Sequence, residues 1–370
     1  MLKKVLVNFV ALHGGGTADA CQMVEGLTKQ GCKVYAILSK NMENIDRWRA
    51  IENLTIIEIN GYTTKLNFVP RLILLLLFKM RFIKKVIRKN DIEYMYIPMI
   101  TFWTYFIYKR LKHLKTIYTM HDVVPHDNKT NSLIWKWSEK LAYRCDDLVI
   151  LSSCYKQTVQ KYGKDPSHIH VIPLGKQDYY GDIIGKKENN GVFEFVFYGR
   201  IDNYKGLDVL ADSFSMVLQK HQNVHLTIAA SGDFSPYSEL YAQLPQDKVT
   251  IINRWIMDDE VPGFFAYDKC ITLLPYKNAT QSGIIPIAMQ HKSLVISTNC
   301  SGLKEQIDDK KTGLLTEPND ATAFANAIDY AIENWHQLND VIENAYKYIQ
   351  SLSWDKLAAK LLKEVNYDNN

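Results

Sequence analysis

Two cations five residues apart, Arg200 and Lys205, stand in the stretch Gly199-Arg200-Ile201-Asp202-Asn203-Tyr204-Lys205-Gly206. The first closes an expected strand and the second opens an expected helix, a spacing that lets both charges converge on one doubly charged group such as a diphosphate. The stretch Pro275-Tyr276-Lys277-Asn278-Ala279-Thr280-Gln281-Ser282-Gly283 also lies between a strand and a helix. Its small polar residues leave the N–H groups of Ser282 and Gly283 free at a helix N-terminus, where the macrodipole favours an oxyanion or a phosphate. An ordinary N-cap by Thr280 or Ser282 fits the same residues. Gly14-Gly15-Gly16-Thr17-Ala18 follows the first expected strand and opens a helix, so the Gly15 and Gly16 amides can approach an anion closely. It is neither a complete G-x-G-x-x-G nor a P-loop and reads equally well as a tight turn. Finally, Thr119-Met120-His121-Asp122-Val123-Val124-Pro125-His126 sets two histidines and a carboxylate directly after a strand, positions suited to acid–base or hydrogen-bonding work.

Other chemistries are excluded by what the chain lacks. There is no Asp-x-Asp to hold a nucleotide through a divalent metal, no G-x-S-x-G elbow and no H-E-x-x-H. The six cysteines (Cys21, Cys32, Cys145, Cys154, Cys270 and Cys300) form neither a C-x-x-C pair nor a metal-ligand spacing, so neither a disulfide framework nor a zinc site is expected, and a reducing cytoplasm fits. Forty-four Lys and Arg against 40 Asp and Glu give a net charge of +4, too small to call for nucleic acid.

One segment concentrates charge. From residue 65 to 89 there are eight basic residues (Lys65, Arg71, Lys79, Arg81, Lys84, Lys85, Arg88 and Lys89) and no acidic one, with apolar residues between them. The apolar run from Leu72 to Phe78 is far below the ~20 residues that span a bilayer. Two readings remain for this helix: attachment to an anionic membrane surface, or one face in the core with a solvated basic face.

The elements that must position these residues are strands alternating with helices, twice over. In the first half, strands are expected at 3–10, 33–38, 55–59, 92–97, 116–120, 148–151 and 169–172, with helices at 18–30, 65–89, 103–113, 132–144 and 153–162. After a polar, glycine-bearing linker at 181–191 the pattern restarts: strands at 193–198, 225–230, 249–253, 270–274 and 293–298, and helices at 207–220, 259–267, from near 282, and at 321–333. A last helix is expected over 356–365. Short β-branched runs separated by helical periods mean α/β with parallel sheets, buried on both faces. At 370 residues the chain holds two such domains. Ligands of open α/β sheets bind at the carboxyl ends of the strands, so the expected site lies in a central cleft faced by both.

The chain resembles the GT-B glycosyltransferases of the group 1, or family four, type. Phe197-Tyr198-Gly199-Arg200 with Tyr204-Lys205-Gly206 is similar to that family's donor diphosphate motif. Ser301-Gly302-Leu303-Lys304-Glu305 with Thr312-Gly313-Leu314-Leu315 looks like its next landmark, and Glu305 sits where the family has a donor-side acid. In the first half, Gly14-Gly15-Gly16 matches the family's glycine loop, His121-Asp122 a histidine near the reacting sugar, and Val171-Ile172-Pro173-Leu174-Gly175 the segment leading into the linker. The Ser353-Trp354 helix resembles one that crosses back to the first domain. The chain departs from the usual Glu-x7-Glu, carrying Ala279 and Ile287 at those positions, with Ala-Thr-Gln-Ser-Gly from Ala279 onward instead, as in a subset of the family.

The resemblance implies two Rossmann-like domains, 1–180 for the acceptor and 181–352 for the donor, with 353–370 returning to the first. It implies transfer of a sugar from a nucleotide-diphosphate sugar to a hydroxyl of a glycan or lipid-linked oligosaccharide, with retention and without a metal or other cofactor. His121, Arg200 and Lys205 are then the expected catalytic residues. Gly15, Gly16, Arg254, Gln281, Ser282, Gly283 and Glu305 join the two cations in holding the donor, and Asp122 and His126 stand on the acceptor side. Arg254-Trp255-Ile256 is the expected place for base contacts, with Trp255 equally able to be core. A cytoplasmic enzyme at the inner face of a membrane follows. Weighed against it are a sugar-nucleotide epimerase of the same architecture, an inactive scaffold favoured by the missing acids, and a nicotinamide dehydrogenase, which lacks its fingerprint.

Overall fold

A computed structural model describes residues 4–12, 14–125, 132–183, 185, 187 and 191–365. The chain divides into two compact units, Met1–Gly175 with Ser353–Asn370, and Lys176–Leu352.

The first unit is built on a seven-stranded sheet: β1 (Lys4–Asn8), β2 (Lys33–Ser39), β3 (Leu54–Ile59), β4 (Tyr94–Ile97), β5 (Lys115–Met120), β6 (Asp147–Ile150) and β7 (Ile169–Val171). All neighbours are parallel, in the order β3-β2-β1-β4-β5-β6-β7. The sequence dictates this arrangement because runs such as Val5-Leu6-Val7 and Tyr94-Met95-Tyr96-Ile97 are apolar on both faces and are buried on both. The order reverses between β1 and β4, which puts the crevice of this sheet beside the chain that leaves each of them.

The first helix, Gly15–Lys29, opens three residues earlier than its apolar period suggests, so the glycine stretch is its first turn and not a loop ahead of it. The basic segment is a helix with a break: Lys65–Leu74, a π-turn over Leu75–Lys79, then Met80–Lys89. The inward residues Leu72, Leu75, Met80, Ile83 and Ile87 explain it, since the five-residue step from Leu75 to Met80 is one too many for an α-turn and the wider π-turn absorbs it. The opposite face exposes Leu66, Val69, Ile73, Leu74, Leu77, Phe78 and Phe82. Among the described residues no helix is long and apolar enough to cross a membrane.

The helix Trp354–Glu364 closes the first unit. It packs on Gly15–Lys29 where Gly26 brings the backbones together, and a Cβ there would lie 2.5 Å from the Trp354 carbonyl oxygen. Lys360 Nζ also donates to the Val171 carbonyl at 2.7 Å, and His170 Nδ1 lies 3.5 Å from Glu364.

The second unit carries β8 (Phe193–Ile201), β9 (Val224–Gly232), β10 (Val249–Asn253), β11 (Cys270–Leu274), β12 (Leu294–Thr298) and β13 (Leu314–Thr316). They form a parallel sheet in the order β10-β9-β8-β11-β12-β13, reversing between β8 and β11. Four details differ from expectation, the first being β13, where no strand was expected. β8 runs on to Ile201, past the expected range of 193–198, and Arg200 stands at its end as expected. The helix expected over 259–267 is a 3-10 turn, Asp258–Glu260, and a short helix, Val261–Phe265. A further helix, Asn339–Ser351, buries Val341, Ile342, Ala345 and Ile349. The Lys176 amide donates to Leu352 at 3.1 Å, so the residues that enter and leave this unit are adjacent.

Candidate active site

Where the second sheet reverses, the chains leaving β8 and β11 are laced together. After β8 a single 3-10 turn, Asn203–Lys205, ends at Gly206 with φ at +71°. Glycine is required there twice over, because the φ is left-handed and a Cβ would overlap the Pro275 carbonyl oxygen. Lys277 N–H donates to Tyr204 O at 2.8 Å, and Lys277 Nζ reaches Asp208 Oδ2 at 2.6 Å. Lys205 is thereby carried over Tyr276. Its Nζ donates to Tyr276 Oη at 2.6 Å and lies 3.8 Å from the centroid of that ring, with the Tyr204 ring at 5.0 Å. Lys205 is buried and Tyr276 wholly so, and burial drives the Tyr276 phenol far above its ordinary pKa, so it stays protonated. Arg200 stands exposed on its strand, its guanidinium 3.7 Å from Asp202.

The loop after β11 corrects one expectation. Ser282 N–H is not free: Gln306 Oε1 accepts it at 2.8 Å, while Gln306 Nε2 donates back to Ser282 O at 3.0 Å. Nor is Ser282 or Thr280 the cap of the following helix. Gly283 is the N-cap of Ile284–Gln290, and Ser282 Oγ accepts the Ile284 N–H at 3.2 Å. The Ser282 hydroxyl lies 3.3 Å from Tyr276 Oη, which ties it to Lys205 through one phenol. Gln281 Oε1 is buried with no hydrogen-bond partner among the described residues. Ala279 and Ile287, standing where the family's two acids fall, are both buried.

Glu305 and Arg254 were also expected on the donor side. Glu305 is exposed on the one-turn helix Leu303–Gln306, next in sequence to the Gln306 that holds Ser282. Arg254 is engaged by Glu260 through both guanidinium nitrogens, at 2.8 and 2.5 Å, and this pairing holds the Glu260 carboxyl down at about 2. Its neighbour Trp255 is 40% exposed and is therefore not core.

In the first unit, Gly14 has φ +113° and its carbonyl accepts the Thr17 N–H at 2.8 Å. Gly16 faces Met99, whose Sδ would stand 2.7 Å from a Cβ. The glycine turn therefore lies against the chain leaving β4, at the reversal of the sheet. His121 follows β5, and its Nε2 lies 3.0 Å from the Pro98 carbonyl oxygen, which only accepts. Nε2 is accordingly the protonated nitrogen. His121 shares a pocket with Asp19, Tyr96, Thr119 and Trp354, so the helix after the glycine turn and the final helix both contribute to its surroundings. Asp122 adjoins it, half-buried. His126 lies outside the described residues. Sequence reasoning gave no part to Tyr276 or Gln306. A tyrosine directly after Pro275 at a strand end was a signal for the first, and no local feature marked the second.

Known proteins share both halves of this architecture. The family model described as Glycosyltransferase Family 4 matches residues 13–175, and that described as Glycosyl transferases group 1 matches residues 182–348. A putative glycosyltransferase of Bacillus subtilis, YtcC, is 30% identical over 178 residues, which are 46% of this chain and 44% of that protein, so the match spans less than half of the relative. An uncharacterized glycosyltransferase of Methanocaldococcus jannaschii is 23% identical across 93% of this chain and 92% of its own. Among solved structures, Anabaena HepE in complex with UDP and glucose has the same fold, with a TM-score of 0.73 at 15% identity over 99% of this chain and 100% of that one. One glycosyltransferase family model thus falls on each unit, family 4 on the first and group 1 on the second, and the fold is GT-B.

Proposed function

We propose that the chain transfers a sugar from a nucleotide-diphosphate sugar to a hydroxyl of a glycan or lipid-linked oligosaccharide, with retention at the anomeric carbon and without a catalytic metal, in the synthesis of a cell-surface polysaccharide. The observation that carries this reading is the buried ammonium of Lys205 beside the Ser282 hydroxyl, at the reversal of the second sheet. The hard step is departure of the nucleoside diphosphate, and preorganised donors aimed at its growing charge are what an enzyme can contribute. Lys205 supplies a desolvated cation and Arg200, on the same strand-turn, an exposed one. Anabaena HepE, of the same fold, binds UDP, which supports a nucleotide donor here.

Retention is what the family resemblance implies, and with no carboxylate where the family places its acid pair, same-face attack is the route to it that we favour. Ala279 and Ile287 are apolar and buried, so no side chain there can act as nucleophile. Attack on the same face as departure, with a leaving phosphate oxygen taking the acceptor proton, needs none. His121, protonated on Nε2, orients the donor sugar or the acceptor, with Asp122 and His126 on the acceptor side. Gln281, with its unpartnered amide oxygen, takes a sugar hydroxyl, Gly15 and Gly16 line the donor, and Glu305 holds the nucleotide. Arg254 is spent on Glu260, so contact with the base falls to the exposed indole of Trp255.

The acceptor's membrane is met by the exposed apolar stripe from Leu66 to Phe82, set among basic residues. Thermal shift of the purified protein with UDP, GDP, ADP, CMP and their sugar conjugates, with and without magnesium, tests the reading. A metal-independent rise for one nucleotide, lost in the Arg200→Ala, Lys205→Ala double variant, is expected; no rise with any of them overturns it.

A further inference from the structure

Lys205 and Ser282 belong to different loops, 77 positions of sequence apart in effect though joined in space, and one side chain connects them. Tyr276 Oη is bonded to Lys205 Nζ at 2.6 Å and to Ser282 Oγ at 3.3 Å, so the ammonium and the hydroxyl lie within two hydrogen-bond lengths of each other. Atom type fixes the direction of the first of these bonds. An ammonium only donates, so the phenol oxygen accepts from Lys205. The bond between the Tyr276 and Ser282 hydroxyls can run either way, and with the phenol neutral in its buried setting we take the phenol as its donor. Ser282 Oγ also accepts the Ile284 N–H at 3.2 Å. Its two lone pairs are then both used, and its own proton is turned away from Tyr276 and from the helix.

Tyr276 is itself held from several sides. Thr298 Oγ1 donates to the Tyr276 carbonyl at 2.6 Å, and the Tyr204 ring meets the Tyr276 ring edge-on, with centroids 6.1 Å apart. The face of the same ring lies against the Lys205 ammonium, the geometry of a desolvated cation–π contact. Neither aromatic contact can follow from a merely space-filling residue: Leu at 276 would supply bulk but no acceptor and no negative ring face.

We propose that Tyr276 is the positioning residue of the donor site, holding the Lys205 ammonium and turning the Ser282 hydroxyl so that both present donors to one acceptor-rich group, the diphosphate of the donor. This rests on the donor-site reading above. Tyr276 does not touch the reacting atoms; it acts through Lys205 and Ser282.

The test is a double-mutant cycle on the full chain, read by titration calorimetry with whichever of UDP, GDP or ADP raises the melting temperature most. Tyr276→Phe keeps the ring and removes the phenol, and is expected to weaken nucleoside diphosphate binding about tenfold. Tyr276→Leu removes both contacts and is expected to weaken it about a hundredfold. In a Lys205→Ala background, Tyr276→Phe is expected to cost less than about threefold further, since the two act as one unit. Full, additive loss in that background overturns the proposal, because a structural role does not depend on Lys205. Unchanged binding in Tyr276→Phe and in any folded Tyr276→Leu, with loss in Lys205→Ala, overturns it and leaves the donor site standing. Unchanged binding in Lys205→Ala overturns the donor-site reading and the proposal with it.

Discussion

Gln306 holds Ser282 as one strand holds another, taking its N–H at 2.8 Å and giving to its carbonyl at 3.0 Å. A side-chain amide carries an acceptor and a donor side by side, so it can do both at once. Gln306→Ala leaves both backbone groups of a buried residue without protein partners, a cost of about 1–3 kcal/mol for each. The expected outcome is a lower melting temperature and a higher KM for the donor. An unchanged donor KM in a variant with a clearly lowered melting temperature would show that the loop's position does not matter to binding.

Removing the Arg200 charge should act on the rate more than on folding. Arg200 is exposed, and Arg200→Ala is expected to leave the melting temperature within a degree or two while costing about 2–4 kcal/mol of transition-state stabilisation. Steady-state kcat/KM with magnesium replaced by EDTA is the measurement, and the wild-type rate should be unaffected by that replacement.

The outward stripe of the broken helix makes a separate prediction. Leu77→Glu with Phe78→Glu replaces two exposed apolar side chains, each worth about 1.5–3 kcal/mol when buried in another phase. Co-sedimentation with vesicles containing anionic phosphatidylglycerol should fall at least tenfold, and binding of the wild type should weaken as salt rises. Wild-type protein that ignores such vesicles at low salt would remove the membrane from the account.

A pH dependence is built into the second sheet. His225 Nδ1 lies 3.0 Å from the buried Glu194, and this hydrogen bond raises the histidine's pKa above its ordinary value of about 6.5. A raised folded-state pKa contributes stability that is complete below the unfolded value and lost as pH rises through the folded one. The melting temperature of His225→Asn should therefore lie furthest below that of wild type near pH 6, and the gap should narrow toward pH 9. A gap that is flat across this range would mean the pair contributes no charge interaction.

Gly26 permits the contact between the first helix and the last, and Gly26→Ala puts a methyl against the Trp354 carbonyl. A loss of about 1–3 kcal/mol is expected, despite alanine's better helix propensity. Denaturant unfolding monitored by tryptophan fluorescence would register it.

β1 to β12 were legible because each is a short apolar run bounded by turn residues, and their order in the chain already implied parallel sheets; β13, three residues long, was too short to stand out. Arg200, Lys205 and Ser282 were legible as candidates because they flank strand ends at the reversal of one sheet. What the chain hid was partnership. Nothing near Gln306 or Tyr276 in sequence announces that they meet Ser282 and Lys205, and the Arg254 pairing with Glu260 depends on how the chain turns after β10. The π-turn was hidden for another reason: its cause is a single five-residue step between Leu75 and Met80, which a helical period averages away. The helix Asn339–Ser351 escaped because its few apolar residues are outnumbered by polar ones.

The first unit begins at the start of the chain, yet its final helix is encoded after the whole of the second. During synthesis the face of Gly15–Lys29 that receives Trp354–Glu364 stays uncovered while some 175 intervening residues emerge, about ten to thirty-five seconds at ordinary translation rates. The second unit, contiguous in the chain, can complete itself in that interval, so the half that is translated first is the half that matures last.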